Sequence, residues 1–112
     1  MSAERAAALE ACARQDGAEL THPFGPENAV FKIAGKIFAI VGLERTPTTI
    51  SLKAEPEHGD LLRAEHAAIA PGYHLNKRHW ITITLDGSLP QSLIEELIED
   101  SFDLVAPRKR RS

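Results

Sequence analysis

The chain has 112 residues, 43% of them hydrophobic and 26% charged, with a formal net charge of −3. That length supports one packed core and is too short for two domains, and the composition is that of a globular protein in water. Four of the thirteen cations lie in Arg108–Arg111, so residues 1–107 hold nine Lys/Arg against sixteen Asp/Glu, a net of −7; phosphate contacts dominate nucleic-acid affinity, so a body this acidic argues against general polyanion binding and confines any nucleic-acid role to a local basic patch or to the tail.

The longest apolar run, Ile37 to Val41 followed by Gly42 and Leu43, is far short of a membrane span. Glu4, Arg5 and Glu10 at the N-terminus leave no apolar core for a signal peptide. A single cysteine, Cys12, rules out an internal disulfide and fits a reducing compartment, so the expected location is the cytoplasm, with no membrane partner.

Residues 3–15 are alanine-rich with Leu9, Cys12 and Ala13 at helical spacing, and Gly17 suits a C-terminal stop. Thr21-His22-Pro23-Phe24-Gly25-Pro26 reads as a rigid turn. Three strands follow: Val30 to Ile33, Lys36 to Leu43 joined to it by the two-residue turn Ala34-Gly35, and Thr48 to Ala54 with period-two alternation. Pro56 opens a helix that runs to about residue 66 and ends before Pro71-Gly72. Tyr73 to Leu75 and His79 to Leu85 read as a second hairpin, closed by Asp86-Gly87. Ser88 and Gln91 have the spacing of a capping box with Pro90 in the first turn, ahead of a stripe of Leu93, Ile94, Leu97, Ile98 and Phe102 opposed by Glu95, Glu96, Glu99 and Asp100. Residues 1–107 form one domain, and the basic tail 108–112 reads as a disordered end. Every strand-to-strand link is short, which predicts an α+β fold with a mostly antiparallel sheet and helices on one face.

Four blocks, His22-Pro23-Phe24-Gly25, Gly35-Lys36-Ile37-Phe38, Ser51-Leu52-Lys53 with Pro56, and Pro71-Gly72-Tyr73-His74-Leu75-Asn76-Lys77-Arg78-His79-Trp80, make the chain resemble the MmcQ/YjbR-like family of small bacterial proteins over roughly residues 20–105. The resemblance implies a two-layer α/β sandwich, α-β-β-β-α-β-β-α, with a five-stranded antiparallel sheet in the order 1-2-5-4-3, related to secretion-chaperone-like folds. It implies no enzymatic activity. It also brings a DNA-binding label, on the idea that the hairpins act as wings. Phe102 stands where such proteins often carry Tyr, and the acidic body is a departure that weakens the DNA reading here.

The block from 73 to 80 holds the chain's one Trp, its one Tyr and two of its five His, beside two adjacent cations. Strand parity sends Ile81, Ile83 and Leu85 toward the helices and Trp80, Thr82 and Thr84 to the other face, where Ser51 and Lys53 of the third strand join them. An aromatic flanked by hydroxyls and cations stacks a base and pairs with phosphate, so the candidate nucleic-acid-binding residues are Lys53, Tyr73, His74, Asn76, Lys77, Arg78, His79 and Trp80. The plainer reading makes Trp80 a packing residue half covered by the His22-Pro23-Phe24 turn, with the open face a dimer or chaperone-like protein interface. A third reading is a small-ligand pocket beneath that turn, lined by Tyr73, His74 and Trp80. His74 and His79 facing each other across a hairpin supply only two metal ligands, so no metal site is expected. Cys12 in a helix, Ser88 as a cap and the solvent-facing acids of the last helix supply no catalytic set, and no motif calls for a cofactor.

Overall fold

The computed structural model describes residues 3–44, 46–72 and 75–107. Its elements run α1 (Ala3–Ala13), β1 (Glu19–Thr21), β2 (Asn28–Ile33), β3 (Lys36–Gly42), β4 (Thr48–Lys53), α2 (Pro56–Glu65), β5 (Ile69–Pro71), β6 (Trp80–Leu85) and α3 (Gln91–Val105). The architecture is α+β, with three helices and an open antiparallel sheet. α1 and α3 lie against β3 and β4, and α2 lies against β5.

The sheet has six strands in the order β1-β2-β3-β4-β6-β5, not five in the order 1-2-5-4-3. The sixth strand, β1, adds to the outer edge of β2 through Glu19↔Lys32, Leu20↔Phe31 and Thr21↔Val30. Three residues beside a proline turn leave too short a pattern to read as a strand in the sequence. The order differs because β3 and β4 are joined by a short link and pair directly, as consecutive strands usually do. β6 then adds outside β4, and β5 takes the edge, where the missing N–H of Pro71 costs no ladder bond. The strand expected at Tyr73 to Leu75 is instead Ile69–Pro71; Tyr73 and His74 lie outside the described residues, and Leu75 belongs to no strand.

Parity follows the sequence pattern where the strands are regular. Ile50, Leu52, Ile81, Ile83 and Leu85 are buried with Ile94, Leu97 and Ile98 of α3, while Trp80, Thr82 and Thr84 point to the opposite face and are half-buried. β3 departs from strict alternation. The register slips between Phe31 and Lys32, so that Ala39 pairs with Phe31 and Ile37 with Lys32. This bulge turns both Phe38 and Ala39 into the core, each 0% exposed, and takes Phe38 out of the ladder. Ser101 of α3 repairs the loss: its buried hydroxyl donates to the Phe38 carbonyl at 2.6 Å and accepts from the Lys53 amide at 2.8 Å. Beside it Phe102 meets Phe38 edge-on, 5.3 Å between centroids.

The Ala34-Gly35 turn forms as the two-residue spacing predicts, with φ of 52° and 81°, the left-handed pair that matches strand twist in a tight hairpin. Ser88 does not cap α3. Its amide donates to Asp86 Oδ1 at 3.0 Å, closing the turn after β6, and Pro90 occupies the cap position in extended conformation with no side-chain cap. A proline at the cap position leaves the helix starting at Gln91, two residues too late for Ser88 to cap it.

Candidate functional site: the uncovered sheet face

Among the described residues no helix covers one face of the sheet, and the sequence candidates converge on that face only in part. Lys53 and Trp80 are register partners on β4 and β6, and the Lys53 Nζ lies 5.9 Å from the centre of the indole, within cation–π range. Two pairs further along, on the same face, Ser51 and Thr82 share a hydrogen bond between hydroxyls at 2.9 Å. Trp80 itself is held by Gly72, whose amide donates to the Trp80 carbonyl at 2.9 Å. A Cβ at position 72 would stand 2.6 Å from the Trp80 Cβ, so only glycine permits this approach.

The loop beyond is organised by its own polar groups. Asn76 accepts the Arg78 amide on its side-chain oxygen at 2.9 Å, and its carbonyl accepts the His79 amide at 3.2 Å, so Asn76 is the turn-former of the loop. Lys77 donates Nζ to the Gly72 carbonyl at 3.2 Å, which ties it to the base of the loop and beside Trp80. Arg78 and His79 are exposed, and the His79 carbonyl accepts the Ala54 amide at 2.9 Å. Of the eight sequence candidates, then, Lys53, Lys77 and Trp80 form one cluster, Arg78 and His79 flank it, Asn76 shapes it, and Tyr73 and His74 lie outside the described residues.

The His22-Pro23-Phe24 turn does not cover Trp80. It joins β1 to β2 on the far side of the sheet, where His22 Nδ1 donates to the Asn28 carbonyl at 2.9 Å. Phe24, 55% exposed, instead stands on the wall of a groove of about 900 Å³ that crosses the uncovered face. Ile40, Pro71 and Leu75 supply further apolar wall, Thr49, Ser51 and Thr82 supply hydroxyls on the floor, and Glu27 and Glu44 stand at the end near Gly42. The sequence reading placed a ligand pocket under this turn but lined it with Tyr73, His74 and Trp80; the groove excludes Trp80 and takes Leu75 from that loop. Phe24 was placed in the turn over the pocket but not on its wall, and Glu27 and Glu44 were missed. The available signal was a large aromatic confined between Pro23 and Gly25-Pro26, where no helix or strand could bury it.

The face is electrically lopsided. Glu27 and Glu44 sit where β4 begins, and Lys53, Lys77 and Arg78 sit where it ends, five residues on and roughly 17 Å away at strand rise. Elsewhere the reactive side chains are quiet. Cys12 is fully buried in α1, and burial pushes its thiol up to about 12, which removes the thiolate nucleophile at neutral pH. Among the described residues no cluster of three or more His, Cys, Asp or Glu has metal-binding geometry, and no helix is long and apolar enough to cross a membrane.

Comparison with known proteins agrees with this architecture. The chain is 44% identical to YbdF of Escherichia coli O157:H7 over 87 residues, covering 78% of this chain and 71% of that one. It is 36% identical to YjbR of Escherichia coli K12 over 107 residues, covering 92% and 91%. The crystal structure of the Deinococcus radiodurans protein DR2400 superimposes with a TM-score of 0.82 at 42% identity, over 86% of this chain and 73% of that one. A Pseudomonas syringae crystal structure gives 0.76 at 33% identity, over 93% and 98%. The YjbR family model matches residues 13–104, and the chain belongs to that family.

Proposed function

We propose that the protein is a non-enzymatic binding module whose groove on the uncovered sheet face takes a small, elongated ligand with an apolar body and a cationic end. The observation that carries this is the groove itself. At about 900 Å³ it has the size of a small-molecule site, with apolar walls and a few convergent hydroxyls. A solvent-facing phenyl ring on a rigid proline turn is a ready wall for such a ligand, since its exposure is relieved on binding. Glu27 and Glu44 favour a cation at the β1–β2 end, and they oppose a phosphate there.

Trp80 is the reporter. As the one tryptophan in the chain, at the margin of the face, it allows titration by intrinsic fluorescence against a panel of small molecules bearing amines on apolar frames. The expected result is a saturable change that Phe24→Ser weakens about tenfold without unfolding the protein. A panel that leaves the emission and the NMR spectrum of the groove residues unchanged refutes the reading.

A second reading, DNA contact through the 75–80 segment, is favoured by one observation: Lys53 lies over the half-buried Trp80 ring and Lys77 is tied to Gly72, which packs on the Trp80 backbone, so an aromatic and two cations share one end of the face, as base stacking with phosphate contact needs. Three cations make a small footprint on an acidic body, so this contact would be weak and steeply salt-dependent. A titration with a short duplex and its single strand, at two salt concentrations, separates the readings by which end of β4 responds.

A further inference from the structure

On the helical side of the sheet, a second cavity of about 300 Å³ opens between the start of α2 and the last turns of α3. Its floor is Ile81 and Leu97, both buried, and its mouth carries Glu55, His58, Asp100 and Asp103 with Leu104. Leu104 is 45% exposed, one of four large hydrophobics that are exposed among the described residues. The apolar rim and the cavity behind it make a socket for one side chain.

Among the described residues the charges around the socket are unfavourable. Asp100 and Asp103 repel each other at i,i+3 spacing on one helix. Asp103 lies in the last turn of α3, where the helix dipole disfavours an anion, and that turn holds no basic residue. No ion pair engages Glu55, Asp100 or Asp103 among the described residues. Lys53, the one cation of the lining among the described residues, places its ammonium over Trp80. Three carboxylates therefore surround an apolar hole, and a cationic partner would relieve their repulsion.

We propose that this socket docks a polypeptide partner through one apolar side chain flanked by Lys or Arg, the apolar group entering the cavity and the cations meeting Glu55, Asp100 and Asp103. The partner is a protein segment rather than a metal ion because the carboxylates ring an apolar cavity rather than converge on a point. The site lies across the sheet from the groove and stands independently of it.

The test uses the isotope-labelled full chain and a short synthetic peptide carrying leucine between lysine and arginine residues, followed by NMR. Saturable shifts at 55, 58, 97, 100, 103 and 104 are expected. Asp100→Asn with Asp103→Asn should weaken binding about tenfold, and so should Leu104→Ser; both replace solvent-facing groups and should leave the fold intact. A peptide with glutamate in place of the cations, and one with glycine in place of leucine, should each fail to bind. The proposal is overturned if the peptide leaves these residues unshifted, if the control peptides shift them equally, or if the variants bind as well as the wild type. Equal shifts from arginine amide alone would reassign the site to a small cation, and the same shifts on simple concentration of the protein would reassign it to a second copy; either result overturns the peptide partner.

Discussion

Replacing Ser101 with alanine should cost far more stability than loss of one hydroxyl from a helix ordinarily would. The hydroxyl joins three elements, accepting from the Lys53 amide of β4 and donating to the Phe38 carbonyl that the β3 bulge removes from its ladder. Alanine keeps the helix and leaves both backbone groups without their partner. Phe38 is fully buried, so no water replaces the bond to its carbonyl, whereas Lys53 is half-buried and its amide has partial access to solvent. At roughly 1–3 kcal/mol for each unsatisfied group, the lower part of the range applying to Lys53, the expected loss is about 2–4 kcal/mol. For a domain of this size that corresponds to a fall in Tm of roughly 8–16 °C. Urea unfolding should show a lower midpoint at unchanged slope, and hydrogen exchange should accelerate most at the Lys53 amide. A loss below about 0.5 kcal/mol, the scatter of surface substitutions, would refute the view that Ser101 holds the bulge to the helix.

Other expectations follow from single contacts. Gly72→Ala should destabilise the fold by about 1–3 kcal/mol, because the new methyl meets the Trp80 Cβ and backbone, and Trp80 emission should shift with it. If the second functional reading holds, Lys77→Ala with Arg78→Ala should weaken DNA binding and flatten its log–log salt slope by roughly 2, with little change in Tm; equal affinity for the double mutant and wild type would remove those residues from the interface. Hydrogen bonds from the Ser88 side chain and amide hold the Asp86 carboxyl below its ordinary 3.8. Its contribution to stability is thus full above that value and is lost as pH falls through the lowered folded value, so the margin of wild type over Asp86→Asn should narrow only in acid, as acid titrations of both proteins would show. Cys12 should react with iodoacetamide at pH 8 only as fast as α1 opens, and rapid labelling of the folded protein would contradict its burial.

Much of the fold was legible in the residues because it rests on local rules. Alternation in Thr48–Lys53 and Trp80–Leu85 decided which side chains enter the core, the Ala34-Gly35 spacing decided a tight hairpin, and the apolar stripe of the last helix decided the face it buries. These signals depend on neighbours within a few positions, so a sequence carries them whole. Family resemblance gave the same layers but the wrong strand order, although the short link between the strands at 36–43 and 48–54 already favoured their direct pairing. Strand order depends on which edges meet, and short links and an edge proline settle that only when the sheet is assembled. The bulge that turns both Phe38 and Ala39 inward was invisible for a similar reason: the residue that satisfies the displaced carbonyl, Ser101, is 63 positions away.

The candidate site divides along the same line. The shared face of Lys53 and Trp80 was readable from parity, but that they are neighbours was decided by the pairing of β4 with β6. The groove was not readable, since it joins Phe24, Ile40 and the pair Pro71 and Leu75 from three separate stretches of chain. Nor was the acidic socket, built where the start of α2 comes up against the end of α3. Sequence alone determined the periodicity, the charge and the rigid turns, properties each residue carries with its near neighbours. Only the tertiary structure decided which surfaces are concave and which carboxylates crowd together, because a cavity and an electric field are sums over residues that the chain itself keeps far apart.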